Sequence, residues 1–417
     1  MLTVVGFLGL VYLTPAVAGG ASTAASPGAL WHRSFDGPGF ETGGALADAG
    51  GGSVYVATTS TQVISGPSAT TESAIVIRRV SPGGRVVWQR FVRGLGSGPV
   101  IASDGLRGLV VAATFVGQAP SELGTLSVSV MRMDQHGDVQ WKRIVRAGRL
   151  DRPTDVAVGP DAAITVIGAS QPRGTLVPTG DARLLVVRLS GEGGVEWTRR
   201  FGAGARSLIG SGVAASGGAL YLTGTSFPLD YDPTAHRTDG TKIFLAKVSP
   251  EGSIVWRAEW TGAAHRFPQA RAASARSIIV SAESIVVGGS VGATSDFLPD
   301  QDPTDAVLVV FDTEGRHVRH EIFGGNGADE VTEVVASGEG FMFTGSSTRG
   351  HREYVGALFG AASATGSVQW LTVLGKDRAV GNAIVVGARQ LYVAVVRSPE
   401  SPTAPKGVVA HAFRSPR

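Results

Sequence analysis

The stretch Lys242–Trp256, KIFLAKVSPEGSIVW, decides the fold. Its first half, Lys242–Val248, is a short apolar run. A tight turn follows, with Gly252 near its end, and a second short segment carries Trp256. Two short β-forming runs joined by a glycine turn read as a β-hairpin. The same register recurs along the chain. Tryptophans stand at 31, 88, 141, 197, 256 and 370, spaced by 57, 53, 56, 59 and then 114 residues, the last gap spanning two repeats. In that gap Arg319 takes the aromatic's place, four residues after Gly315, as Trp256 follows Gly252. An apolar residue comes four positions later in each copy: Phe35, Val92, Val145, Phe201, Trp260, Phe323 and Leu374.

The other parts of the unit repeat with it. Strands that end in small residues are expected at Ser53–Thr59, Gly108–Phe115, Ala162–Ser170, Ala219–Ser226, Ser284–Ser290, Gly340–Ser346 and Gln390–Val396. Strands before the glycine turn are expected at Ala74–Val80, Leu126–Met133, Arg183–Leu189, Lys242–Val248, Ala306–Phe311, Tyr354–Phe359 and Gly407–Phe413. A fourth, shorter strand lies between units, as in Asp155–Gly159 and Glu333–Ala336. Four strands in about 50–60 residues is the size of one propeller blade. One such sheet cannot bury both faces and must stack on neighbours. The chain opens with the tryptophan strand, Leu30–Phe35, and closes with Gly407–Phe413, the type that precedes it. The sequence therefore predicts an all-β fold. It is a single seven-bladed β-propeller over 30–414 with four antiparallel strands per blade, and 30–35 pairs with 407–413 to close the ring.

Composition agrees. Of 417 residues 59 are glycine, only 17% are charged and 43% are hydrophobic, which suits short strands around a packed core. A formal charge of +3 without a basic stripe argues against nucleic acid as a partner. The absence of cysteine removes disulfides, thiol catalysis and thiolate metal sites. Residues 1–18 are apolar and end in Ala16-Val17-Ala18, a small-x-small cleavage pattern, so they read as a signal peptide, with 19–29 a flexible leader. That implies an exported chain, in the periplasm, at the cell surface or outside the cell. It implies no membrane insertion after cleavage, and a monomer is expected.

The repeat resembles the bacterial seven-bladed β-propeller repeat (SBBP-like) family, best at Lys242–Trp256, Phe323-Gly324-Gly325 and Gly340–Ser346. The resemblance implies a propeller and a surface or secreted location, and no reaction. Thr365–Trp370, TGSVQW, is similar to the docking motif of pyrroloquinoline-quinone-type propeller repeats, but the other copies lack its threonine. Sialidase-type Asp boxes are missing.

A residue required in nearly every unit serves packing, so the tryptophans read as structural. Arg33, Arg90, Arg143 and Arg199 are expected to lay their stems along those rings. Turns such as Ser249–Gly252 are short. Connections at the opposite end are long: Thr61–Ser73, Gln171–Asp181, Phe227–Gly240, Thr261–Ala272 and Val291–Thr304. Long connections on a rigid frame are where binding resides.

Two of these loops are acidic and belong to consecutive units. One carries Asp230, Asp232 and Asp239, the other Asp296, Asp300, Asp302 and Asp305. Asp-x-Asp-Pro offers several oxygens to a hard cation, so Asp230, Asp232, Asp300 and Asp302 are the candidate Ca²⁺ ligands. Asp and Pro are equally ordinary turn residues, and the solvated-turn reading is favoured.

The eight histidines are scattered. His317 and His320 lie three apart, which on a regular strand puts them on opposite faces. No nucleophile elbow, zincin motif or phosphate loop is present. The sequence favours a binding or interaction module for a protein or polysaccharide ligand over an enzyme. An exported hydrolase or lyase with a site at the central channel, or an envelope assembly scaffold, stays open.

Overall fold

A computed structural model describes residues 29–414 apart from 36–39, 65–69, 94, 97, 106–107, 117–123, 172–180, 203–205, 230–239, 263–271, 293–303, 325–326, 339, 350–353, 375–378, 388–389 and 398–406. Among the described residues the regular elements are all β-strands, 28 of them, and no helix is long and apolar enough to cross a membrane. The predicted signal segment lies outside the described residues.

The strands form antiparallel four-stranded sheets in chain order. One contains β2 (Phe40–Asp48), β3 (Val54–Ile64), β4 (Thr70–Val80) and β5 (Val86–Arg93). Others contain β14 (Arg206–Ser216), β15 (Ala219–Pro228), β16 (Lys242–Val248) and β17 (Ile254–Trp260); β18 (Ala273–Val280), β19 (Ile285–Gly292), β20 (Thr304–Phe311) and β21 (His317–Phe323); and β22 (Asp329–Ser337), β23 (Gly340–Arg349), β24 (Tyr354–Ser363) and β25 (Val368–Leu374). Two similar arrays are β6 (Val100–Ser103), β7 (Leu109–Val116), β8 (Leu126–Met133) and β9 (Val139–Val145), then β10 (Leu150–Val158), β11 (Ile164–Gln171), β12 (Arg183–Leu189) and β13 (Val195–Phe201). A single parallel contact between Leu126 and Leu150 joins them. In the last sheet β26 (Ala379–Val386), β27 (Gln390–Arg397) and β28 (Gly407–Arg414) take their fourth strand from the start of the chain. There β1 (Ala29–Phe35) pairs antiparallel with β28, Trp31 opposite Ala412 and Phe35 opposite Val408. The expected partnership of first and last strands is thus present.

The turn glycines explain the repeat. Gly84, Gly137, Gly193, Gly252, Gly315 and Gly366 all have φ between +80° and +86°, a conformation that side chains resist. Five of them lie against the preceding sheet's tryptophan: a Cβ on Gly193 would stand 2.7 Å from the Trp141 ring. The indole completes the contact by donating to a turn carbonyl, from Trp31 to Pro82, Trp88 to Gln135, Trp141 to Gly191 and Trp197 to Pro250, at 2.7–3.1 Å. Arg33, Arg90 and Arg143 donate to the same turns' glycine carbonyls. The guanidinium groups of Arg90 and Arg199 also lie over Trp88 and Trp197. The tryptophans are therefore sheet-to-sheet clamps.

Between these clamps the core is divided into clusters, each drawn from two sheets consecutive in the chain. One cluster unites the last sheet with the first, packing Tyr392, Ala394, Val408 and Ala410 against Leu46, Val54 and Val56. Each fully buried Val, Leu or Ile contributes about 1.5–3 kcal/mol.

Three expectations need correction. Thr61–Ser73 is largely a hairpin rather than a loop, with pairing out to Ile64 and Thr70. Its threonines and Val63-Ile64 are good strand formers. The strands thought shortest, such as β10 and β22, have nine residues each. His317 and His320 share one face of β21. A bulge in which Val310 faces Arg319 and Phe311 faces His317 skips Val318, which turns a spacing of three into an effective two.

Candidate functional site

The first strands of the sheets carry a set of polar side chains that reach from sheet to sheet. Contacts join β2 to β6, β6 to β10, β10 to β14, β14 to β18, β18 to β22, β22 to β26 and β26 to β2. Most of these strands carry a bulge, at Thr154, Ser211, Arg276, Thr332, Asn382 and the pair Gly43-Gly44. A bulge leaves one residue out of the ladder and re-aims its side chain. Here it aims at the next sheet. Thr154 Oγ1 donates to the Gly210 carbonyl at 2.8 Å, Ser211 Oγ to Ala275 at 2.6 Å, Thr332 Oγ1 to Gly381 at 2.6 Å and Asn382 Nδ2 to Gly44 at 2.7 Å. Arg276 instead pairs with the Glu330 carboxylate.

At three of the bulges the residue that follows acts in the opposite sense, as an acceptor. Val213 N donates to Asp155 Oδ2 at 2.8 Å, Val334 N to Ser277 Oγ at 3.2 Å and Ile384 N to Glu333 Oε2 at 2.5 Å. At Gly212, the corresponding place in β14, a Cβ would stand 3.0 Å from Ile278 N, the same geometry without a side chain. Each bond satisfies an amide that the bulge freed.

Two of these acceptors are carboxylates. Asp155 and Glu333 are enclosed by protein, each with a small part of its side chain still accessible. Burial pushes Asp155 up to about 7 against the amides of Val213 and Val156, which favour its charge. Burial pushes Glu333 up to about 8, with the negative charge of Asp155 adding to the rise. Burial is the larger cause in both cases. Near neutral pH such groups exchange protons, and their neutral forms can also donate.

A second buried cluster is permanently paired. Arg78 grips Glu41 with NH2 at 2.6 Å and NH1 at 3.1 Å, Thr58 Oγ1 donates to the same carboxylate, and the guanidinium lies over the Phe35 ring. Two clefts open between sheets. One of about 460 Å³ lies between β13 and β17, with Arg206, Ser226 and Glu259 on its wall. The other, about 570 Å³, lies between the turns at Asp104 and Asp161 and is lined by Arg132.

Of the acidic-loop residues, Asp230, Asp232, Asp239, Asp296, Asp300 and Asp302 lie outside the described residues. Asp305 is buried within β20 opposite Val291, so it belongs to a strand and not to the loop. Among the described residues no group of three or more His, Cys, Asp or Glu side chains is arranged to hold a metal. Sequence reasoning singled out none of Thr154, Asp155, Ser277, Thr332 or Glu333 as side chains with a task. The available signal was positional, since Asp155, Gly212, Ser277, Glu333 and Ala383 occupy one place in successive repeats.

No protein-family profile matches the chain, and no curated protein is similar to it in sequence. Solved structures are. The polysaccharide lyase Uly1 shares 10% identity over 96% of this chain and 96% of its own, with a TM-score of 0.52. The β-propeller domain of the trilobed protease from Pyrococcus furiosus shares 12% over 91% and 97%, with a TM-score of 0.47. Drosophila Plexin A, solved with Semaphorin 1b, shares 8% over 93% and 87%, with a TM-score of 0.49. At these identities the likeness is one of fold. The likeness to Uly1, together with antiparallel four-stranded sheets following one another in chain order, agrees with a β-propeller-type fold.

Proposed function

We propose that the chain is a closed ring of seven four-stranded blades that works as an exported binding module, taking a protein or polysaccharide partner on the face with the longer connections. The ring reading is supported by β1 completing the last sheet, by the Trp31 clamp on the first sheet's turn, and by the Asn382 bond to Gly44. The repeat's resemblance to the bacterial seven-bladed propeller repeats fits this reading, as does the signal-like segment 1–18.

One observation carries the binding reading: the inner polar groups are engaged sheet to sheet. Asp155, Ser277, Glu333, Thr154, Ser211, Thr332 and Asn382 each bond the neighbouring sheet's backbone. That is the chemistry of a rigid frame. By antiparallel alternation β11, β15, β17, β19 and β27 end, and β12, β16, β18, β20 and β28 begin, on the side taken here as the binding face. The acidic connections that follow β15 and β19 in the chain, with Ca²⁺ as their candidate ion, are the proposed binding segments.

The test is a binding screen of the full chain against immobilised neutral and acidic polysaccharides and against envelope proteins. Variants with 230–239 or 294–302 replaced by short Gly-Ser turns are screened beside it, with and without millimolar Ca²⁺. Retained folding with lost binding in either variant supports the reading. Unchanged binding in both removes the long-connection face. A second reading, a hydrolase or lyase, rests on the near-neutral Asp155 and Glu333 pair. Chain cleavage of any of those polysaccharides, abolished by Asp155→Asn or Glu333→Gln, would establish it instead.

A further inference from the structure

We propose that His317 and His320 form a chelating site for a late first-row divalent metal ion, with Cu²⁺ bound most tightly, on the outer strand β21. The bulge at Val318 brings their side chains to one face, with His317 Nε2 3.2 Å from His320 Nδ1. With metal–nitrogen bonds of about 2.1 Å, nitrogens that far apart subtend roughly 100° at a shared ion, between square-planar and tetrahedral angles. The two rings stack at 5.3 Å, and an aromatic floor restricts them: Trp260 lies 5.3 Å from His320, and Phe311 meets His317 edge-on at 6.1 Å. His317 is exposed and His320 half-buried, so an ion can enter from solvent with water as its remaining ligands.

Comparison among the sheets supplies an independent reason. The places of His317 and His320 hold Ala29 and His32 in β1, Val86 and Gln89 in β5, Val139 and Lys142 in β9, Val195 and Thr198 in β13, Ile254 and Arg257 in β17, and Val368 and Leu371 in β25. The pair of donors arises only in the sheet that has also lost the tryptophan clamp to Arg319. Packing there does not require histidine. A metal ion takes imidazole through an unprotonated nitrogen, so binding requires both facing nitrogens to be free of protons.

The experiment is titration of the full chain with CuCl₂ and ZnCl₂ by calorimetry, with electron paramagnetic resonance of the Cu²⁺ form. The variants are His317→Val and His320→Gln, whose new residues stand at these places in β5, and His32→Ala as a control. The expected result is one ion per chain, Cu²⁺ tighter than Zn²⁺, a two-nitrogen splitting, and quenching of tryptophan fluorescence by Cu²⁺. Loss of an outer-sphere partner alone weakens metal sites 10- to 100-fold, so either ligand variant should bind roughly tenfold or more weakly. The control should match the wild type. No ion bound by the wild type, or equal binding by the folded ligand variants, would overturn the proposal. Circular dichroism and melting of each variant separate loss of the site from loss of the fold.

Discussion

Glu333→Gln is the sharpest perturbation of the inner belt. Burial and the Asp155 charge raise Glu333 from 4.5 to about 8 in the folded protein. The folded state then holds a proton that the unfolded chain releases above pH 4.5, so stability is greatest below that pH and falls as pH rises towards 8. The rise from 4.5 to about 8 corresponds to about 4–5 kcal/mol for this one group. Asp155, raised to about 7, adds a loss of the same sign between pH 4 and 7. Glutamine keeps an oxygen to accept the Ile384 amide and never ionises. Urea midpoints at pH 5, 6, 7 and 8 should therefore fall steeply for the wild type and much less for the variant. At pH 8 the variant should be the more stable protein. Identical pH slopes in the two proteins, or a variant weaker than the wild type at pH 8, would refute the reasoning.

Three further substitutions probe separate contacts. Gly193→Ala places a Cβ 2.7 Å from the Trp141 ring at φ +82°, and should cost about 2 kcal/mol or more in denaturant unfolding. Ala162 is the only described non-glycine residue at positive φ, +61°, so Ala162→Gly should leave the melting temperature unchanged or raise it, by up to about 1 kcal/mol of stability. Glu41→Gln leaves the buried Arg78 charge uncompensated and should cost about 3–5 kcal/mol, while replacing both with apolar residues should recover much of that loss.

The sequence displayed the outer parts of each sheet and concealed the inner ones. Tryptophan is rare and cannot be replaced cheaply where it clamps a turn, so its register from Trp31 to Trp370 stood out, and with it the strand order and the partnership of β1 with β28. Thr154, Ser211, Thr332 and Asn382 share a task but not a side chain, because a backbone carbonyl accepts from any hydroxyl or amide. No motif marks them. The bulges are equally silent in composition, which is why His317 and His320 read as lying on opposite faces. Asp155 and Glu333 were visible as strand residues, but their raised pKa values come from burial that only packing reveals.

The ring itself is tested most directly by one disulfide. His32 and His411 are paired across β1 and β28 with their rings 6.0 Å apart, and paired residues have Cα separations that a disulfide can span. The natural chain has no cysteine, so in the His32→Cys, His411→Cys protein every thiol is accounted for. Thiol counting by mass spectrometry after mild oxidation should find a single intramolecular bond, no free thiol and a raised melting temperature. Two thiols that stay reactive, or bonds formed only between separate chains, would contradict closure by the chain ends.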